Sequence, residues 1–259
     1  MGTRTLLLLL ALLLNAATAG AEDKLTGEQI LERVMASDPW GMSGAEIRAR
    51  AIIGDKRGAR SQLSFRSKSM QYDPPLSKSV VRFSAPSDLA GAAFLQVQKK
   101  GGDDDRFLFL PDLKRSRRIS GSLRSNAFMG TDFTYADLDR RDMRNSTAIL
   151  KGHEKIGKFP CYKVEVVPSS KDSEYARIEA WVREDNFLPL KMAMYDRANV
   201  LLKTFMALEV KRVGGRWFIS RSRMVNARTD HRTELVLEDI NVAQKFSESE
   251  FTVRALEKL

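Results

Sequence analysis

From Ala45 to Ile240 the chain alternates apolar and polar residues with a period of two, segment after segment. Ile47, Ala49, Ala51 and Ile53 stand against Glu46, Arg48 and Arg50. The rhythm returns at Leu188, Leu190, Met192 and Met194, and again at Val200, Leu202, Met206 and Leu208. Successive side chains of a β-strand point to opposite faces, so each apolar set predicts one greasy side of a sheet. The pattern predicts strands over 45–53, 60–70, 77–85, 106–111, 147–156, 159–167, 174–183, 187–196, 199–212, 216–228 and 231–242, with another at the end of 87–98. In the second half the connections are short, with Asp185-Asn186, Ala198-Asn199 and Gly214-Gly215 at the turns. Short turns join antiparallel neighbours, so this half reads as a meander. The expected class is mainly β with few helices, built on one large antiparallel sheet.

Helices are scarce. Thr26 can cap a helix and Gln29 completes a capping box. Ile30, Leu31, Val34 and Met35 then form an apolar stripe, and Asp38-Pro39 ends the element. Ser247 to Leu259, with Phe251, Val253 and Leu256, predicts a short turn or helix closing one end. Phe107, Leu108, Phe109 and Leu110 are apolar on both faces, so that strand should be covered on both sides. The predicted cover is Ser120 to Asn145, which breaks the strand rhythm. It carries Phe128, Met129, Gly130, Phe133, Tyr135 and Leu138, then a helical stretch from Leu138 to Arg144, and reads as a lid of loop and short helices.

A cavity follows from the mismatch between sheet and cover. About eleven strands with about three inward residues each give on the order of thirty inward side chains. The opening helix and the lid supply about a dozen partners, and wet apolar surface costs about 25 cal/mol per Å². The sheet must therefore curl, and a curled sheet of this size either closes on its own side chains or encloses a space, as ligand-holding barrels and half-barrels do. Met192, Met194, Met206 and Met224 lie near one another in strand order, and methionine re-packs around irregular apolar guests.

The start of the chain has a separate role. Arg4, an apolar run from Leu6 to Leu14, and Ala19-Gly20-Ala21 form the pattern of a secretory signal peptide over residues 1–21. The run is too short for a stable anchor. The mature part, from Glu22 to Leu259, is expected to be one domain placed in the periplasm. Losing Arg4 lowers the formal net charge from +10 to +9. Export argues against a nucleic-acid partner, and Arg48, Arg50, Arg66, Lys68 and Arg82 alternate with apolar residues as solvated strand faces do. The densest basic stretch, Lys114-Arg115-Ser116-Arg117-Arg118, reads as a turn and edge strand whose charges discourage edge pairing. Contact with anionic lipid head groups or an acidic partner is the alternative.

Catalytic patterns are missing. His153 and His231 lack metal-ligand spacing and read as surface residues, and no nucleophile elbow, zinc-helix, phosphate-loop or dinucleotide motif occurs. Asp103-Asp104-Asp105 lacks the spacing of an EF-hand loop. Asp137, Asp139 and Asp142 interleave with Arg140, Arg141 and Arg144, as in helix-surface ion pairs. Cys161, the lone cysteine, lies in a strand pattern and reads as a buried thiol. No cofactor, metal or enzymatic activity is expected.

The run from Phe128 to Leu138, Phe-Met-Gly-Thr-Asp-Phe-Thr-Tyr-Ala-Asp-Leu, resembles the exported outer membrane lipoprotein-sorting protein family, relatives of the LolA and LolB carriers. Leu188-Pro189-Leu190-Lys191, Gly215-Arg216-Trp217-Phe218-Ile219 and His231-Arg232-Thr233 fit the same family. The resemblance implies an open half-barrel with a helical lid over an apolar cavity. It also implies carriage of a lipid-modified protein or free lipid across the periplasm, with some relatives working beside RND-type exporters.

These readings converge on a periplasmic carrier or chaperone for acyl chains, moving them towards the outer membrane. The expected ligand-binding residues are Phe65, Phe83, Phe107, Phe109, Met192, Met194 and Met206 on the sheet and Phe128, Phe133 and Tyr135 on the lid. A ligand-free adaptor for a membrane transporter, docking through Lys114, Arg115, Arg117 and Arg118, is the alternative. A carboxylate hydrolase using Asp132 or Asp137 is a third.

Overall fold

The computed structural model describes residues 25–101, 103–138, 143, 146–170 and 173–258, with side chains undescribed at 121–122. The expected leader over 1–21 and residues 139–142 and 144 of the expected lid helix lie outside the described residues.

The alternating segments form thirteen strands: β1 (Ala45–Gly54), β2 (Arg60–Asp73), β3 (Leu76–Ala85), β4 (Ala93–Val97), β5 (Asp105–Leu110), β6 (Arg115–Arg118), β7 (Thr147–Ile156), β8 (Phe159–Val167), β9 (Arg177–Arg183), β10 (Pro189–Tyr195), β11 (Leu201–Val213), β12 (Arg216–Asn226) and β13 (Arg232–Asn241). They make one sheet in the order β6-β5-β4-β3-β2-β1-β13-β12-β11-β10-β9-β8-β7. Every pairing is antiparallel. The sheet is open, with β6 and β7 at its edges. The basic stretch forms β6, the edge strand its charges predict, where Arg115, Arg117 and Arg118 stand exposed.

Two helices occur among the described residues. Helix α1 (Gly27–Ser37) begins with the expected capping box: the Gln29 N–H donates to Thr26 Oγ1 at 3.2 Å, and the Thr26 N–H donates to Gln29 Oε1 at 2.8 Å. Its stripe of Ile30, Leu31 and Val34 packs on Ala148 of β7 and Val164 and Val166 of β8. Asp38 turns left-handed to end it. Gly27 permits the close approach, because a Cβ there would lie 2.3 Å from the Ala148 carbonyl oxygen. Helix α2 (Val253–Leu256) follows a one-turn 3-10 segment at Glu248–Glu250.

Strand β5 is covered on both faces, as its composition demands, but by two different segments. Leu108 and Leu110 face the lid aromatics Phe128 and Tyr135. Phe107 and Phe109 face the other way, onto Phe251, Val253 and Leu256 of the C-terminal segment. That segment therefore backs the convex side of β4 and β5 and does not close an end of the sheet.

Two phase readings change. Leu190 sits at a bulge between Pro189 and Lys191, so Leu188 packs in the inner cluster and Leu190 in an outer one with Cys161, Trp181 and Ala193. In β11, Phe205 pairs with Met192 and Met224, while Met206 pairs with Lys191 and Arg223. Directly paired residues share a face, so Phe205 points inward and Met206 outward with charged neighbours. A strand apolar on both sides hides its phase from sequence.

The close packing at Gly27 makes a prediction. Gly27→Ala adds a methyl where backbone already stands, and overpacking of this kind costs about 1–3 kcal/mol. Denaturant unfolding should show that loss, with amide exchange rising first in 25–37; an unchanged midpoint would refute the packing argument.

Candidate functional site

The concave face is covered from two sides. Helix α1 lies over the β7–β8 end, with Val182, Met194, Phe205 and Met224 in the same apolar cluster. The segment 119–138 lies over the β2–β5 end, where Phe128 meets Phe83, Phe94 and Tyr135 at ring-centroid distances of 5.9, 5.4 and 5.3 Å. Between the two covers remains a cavity of about 280 Å³. That is on the order of twenty times the space one water needs. Its wall takes the inward set of nearly every central strand: Ile47, Ala49 and Ala51 of β1, Leu63 and Phe65 of β2, Val81 and Phe83 of β3, Ile178, Ala180 and Val182 of β9, and Leu235 and Leu237 of β13.

Of the ten residues expected to bind ligand, six line this cavity: Phe65, Phe83, Phe128, Phe133, Met192 and Met194. Tyr135 stands behind Phe128 and Phe94 as lid core. Phe107 and Phe109 lie under the C-terminal segment, and Met206 lies on the outer face. Phe94, Phe205, Trp40 and α1's Ile30 and Val34 also line the cavity. The inward phase of β4 and β11 would have identified Phe94 and Phe205, but both strands are apolar on either face.

The lid is fixed by a tight turn and by two aspartates. The chain reverses at Phe128–Gly130, where Met129 and Gly130 have φ of 50° and 78°. The Phe128 N–H donates to the Phe133 carbonyl at 2.7 Å. Asp132, 7% exposed, then reaches β13. Its N–H donates to Thr233 Oγ1 at 2.8 Å, and the Thr233 hydroxyl donates to Asp132 Oδ2 at 2.7 Å. His231 Nδ1 lies 2.8 and 2.9 Å from the two carboxylate oxygens. His231, expected at the surface, is thus a partly buried clasp partner. His153 is exposed and pairs with Glu184 at 2.8 Å.

Asp137 makes the second clasp. It accepts from the Tyr175 hydroxyl at 2.8 Å and from Lys203 Nζ at 3.4 Å. Lys203 also donates to Glu174 at 3.0 Å and to Tyr175 at 2.9 Å. Burial, together with the negative Asp137 and Glu174, holds the Tyr175 hydroxyl well above the usual tyrosine range. Both aspartates that might have served hydrolysis are thus taken up in ion pairs and hydrogen bonds. Among the described residues no group of three or more His, Cys, Asp or Glu side chains is placed to hold a metal ion. Asp104 instead accepts from the Lys99 N–H at 3.2 Å and pairs with Arg106. Cys161 is fully buried, and burial raises its thiol.

A family model described as "Uncharacterized protein" matches residues 76–258. Among curated proteins none matches the chain. Solved structures do. One described as an outer membrane lipoprotein-sorting protein domain, from Vibrio parahaemolyticus, is 29% identical with a TM-score of 0.83, over 90% of this chain and 98% of that one. A DUF1329 family protein from Desulfovibrio piger is 26% identical with a TM-score of 0.83, over 89% and 97%. A LolA superfamily protein from Nitrosomonas europaea, 20% identical with a TM-score of 0.71 over 88% and 98%, shares the fold.

The clasps generate two predictions. Asp132→Ala removes the acceptor of Thr233 and His231 and should cost about 1–3 kcal/mol. Hydrogen exchange should then rise over 126–137 while β1, β12 and β13 stay protected; uniform protection would show that the lid is held by its apolar contacts alone. For Tyr175, the folded state keeps a proton that the unfolded chain releases near pH 10. The stability it contributes is complete below that pH and is lost as pH rises above it. Tyr175→Phe should flatten the decline in unfolding free energy between pH 9.5 and 11; parallel curves for parent and variant would contradict the assignment.

Proposed function

The chain belongs to the LolA-like family of outer membrane lipoprotein-sorting proteins, and from that premise we propose that it is a periplasmic carrier for acyl chains of lipoproteins or lipids. The observation that carries this reading is the apolar cavity of about 280 Å³ between α1, the lid and the sheet. Its lining is mainly aliphatic, aromatic and methionine side chain, which suits hydrocarbon of irregular shape. Carriage needs no bond-making step. Each methylene moved from water into such a wall contributes about 0.8 kcal/mol, so a single acyl chain supplies ample affinity. Release requires a competing site or a displaced lid, and the Asp132 and Asp137 clasps are the contacts such a displacement would break.

Six wall and lid residues are proposed to contact the chain: Phe65, Phe83, Phe128, Phe133, Met192 and Met194. Phe107, Phe109, Tyr135 and Met206 serve packing or the outer surface instead. The leader-like segment over 1–21 supports export, and transfer towards the outer membrane accords with the sorting description of the Vibrio relative. A ligand-free transporter adaptor would need no hollow interior, so the cavity favours carriage over that alternative.

The test is native mass spectrometry of the protein purified gently from an envelope fraction. Co-purified lipid or acylated peptide is expected, and Met194→Trp, which fills the wall, should lower its occupancy at least fivefold. Protein that is lipid-free and takes up no added lipid would refute the carrier reading.

A further inference from the structure

One stretch of the cavity wall is not apolar. Ser67 of β2, Ser79 of β3 and Gln96 of β4 all line it. Ser79 stands directly opposite Gln96. Ser67 lies two residues from Ser69, which is the partner of Ser79, and so is its diagonal neighbour. Opposed residues in such a ladder have Cβ atoms about 5 Å apart and diagonal ones about 7–8 Å, so the three form one polar patch.

The patch has hydrogen-bonding capacity that its neighbours among the described residues leave largely unused. Gln96 is 3% exposed, and its one hydrogen bond among the described residues is a long one, from Nε2 to Asp104 at 3.4 Å. Among the described residues its carbonyl oxygen and the two serine hydroxyls have no hydrogen-bond partner, so they can bond whatever occupies the cavity. Elsewhere polar groups on this lining are engaged: Asp38 with Arg216 at 2.7 Å, and Asp137 and Glu174 with Lys203. The described lining holds three carboxylates and no lysine or arginine.

Charge and hydrogen-bonding capacity together define what fits. A free carboxylate or phosphate brought inside would lose its water, meet no unpaired cation on the described wall, and face acidic groups. A neutral carbonyl loses less and is compensated when hydroxyls donate to it. Two serine hydroxyls can donate to an ester or amide oxygen, and Gln96 Oε1 can accept from an amide N–H or a glyceryl hydroxyl.

We propose that Ser67, Ser79 and Gln96 form a hydrogen-bonding subsite for the neutral ester or amide linkage at the head of an acyl chain, so that the cavity selects acyl esters and amides over free fatty acids. The inference rests on the acyl-carrier reading and deepens it: the apolar wall holds the chain, and this patch reads how the chain is attached.

The test uses delipidated full-length mature protein loaded with the fluorescent apolar probe N-phenyl-1-naphthylamine. Hexadecane, palmitic acid, palmitamide and monopalmitoylglycerol compete for it. Palmitamide and monopalmitoylglycerol should displace the probe at about tenfold lower concentration than palmitic acid at pH 8, where the acid is ionised. The double variant Ser67→Ala/Ser79→Ala, which removes no side-chain hydrogen bond among the described residues, should weaken both neutral ligands about five- to tenfold. Hexadecane displacement should not change. Gln96→Leu, read only if its thermal midpoint matches the parent's, should weaken palmitamide by a similar factor. Palmitic acid binding as tightly as the amide, or a serine double variant that binds neutral ligands like the parent, overturns the subsite while leaving the carrier intact. Failure of every ligand, hexadecane included, overturns both.

Discussion

An open sheet of thirteen strands has an inner face that its own strands cannot cover, and much else in this molecule answers that constraint. The chain runs outward from β1 to the β6 edge, then must resume at β7, the far edge. The connection has to cross the mouth of the curl. Its aromatic residues are used in that crossing: Phe128 seats on Phe83 and Phe94, and Phe133 reaches the inner cluster. Helix α1 covers the other end from the N-terminal side. Two covers arriving from different parts of the chain leave a hollow between themselves and the sheet, and that hollow is the cavity.

Polar contacts locate the lid, while apolar contacts hold it down. Aromatic packing is tolerant of small shifts, whereas a carboxylate receiving a hydroxyl and an imidazole is not. Asp132 and Asp137 sit five positions apart on the lid and reach different strands, β13 and β11. Two such points set both the position and the rotation of the segment over the wall. The buried ionic contacts are also the kind that a change of partner can undo, since each costs desolvation to maintain.

The strands, the capped first helix, the crossing segment and the sheet's curl were all legible from period and turn chemistry. Where one face was polar, as in β1, the inward set was legible as well. It was not legible in β5, β10 and β11. Phe107 and Phe109 carry the same composition signal as Leu108 and Leu110, and only the docking of Phe251 and Leu256 distinguishes the two faces. Leu190 is reassigned by one bulge, which no local pattern announces. The Asp132–His231 pair lay beyond sequence reasoning for another reason. Its two halves occur in separate motifs, each recognisable, with nothing in either to say that they touch. The polar patch of Ser67, Ser79 and Gln96 likewise exists only through register across three strands.

The meeting of the first strand with the last has a consequence for how the chain assembles. Strands β1–β6 and β7–β13 are each joined to their neighbours in order, so each group can grow from local hairpins. The seam between them, Glu46 against Asn241 through Gly54 against Arg232, joins residues from opposite ends of the folded chain. Closing so long a loop is entropically expensive and slow, and gains nothing until both half-sheets stand ready. Contact order therefore predicts that the two halves form first and then zip along β1 and β13. In that order the floor becomes continuous only when the seam closes, and the hollow for a guest is expected to be completed last.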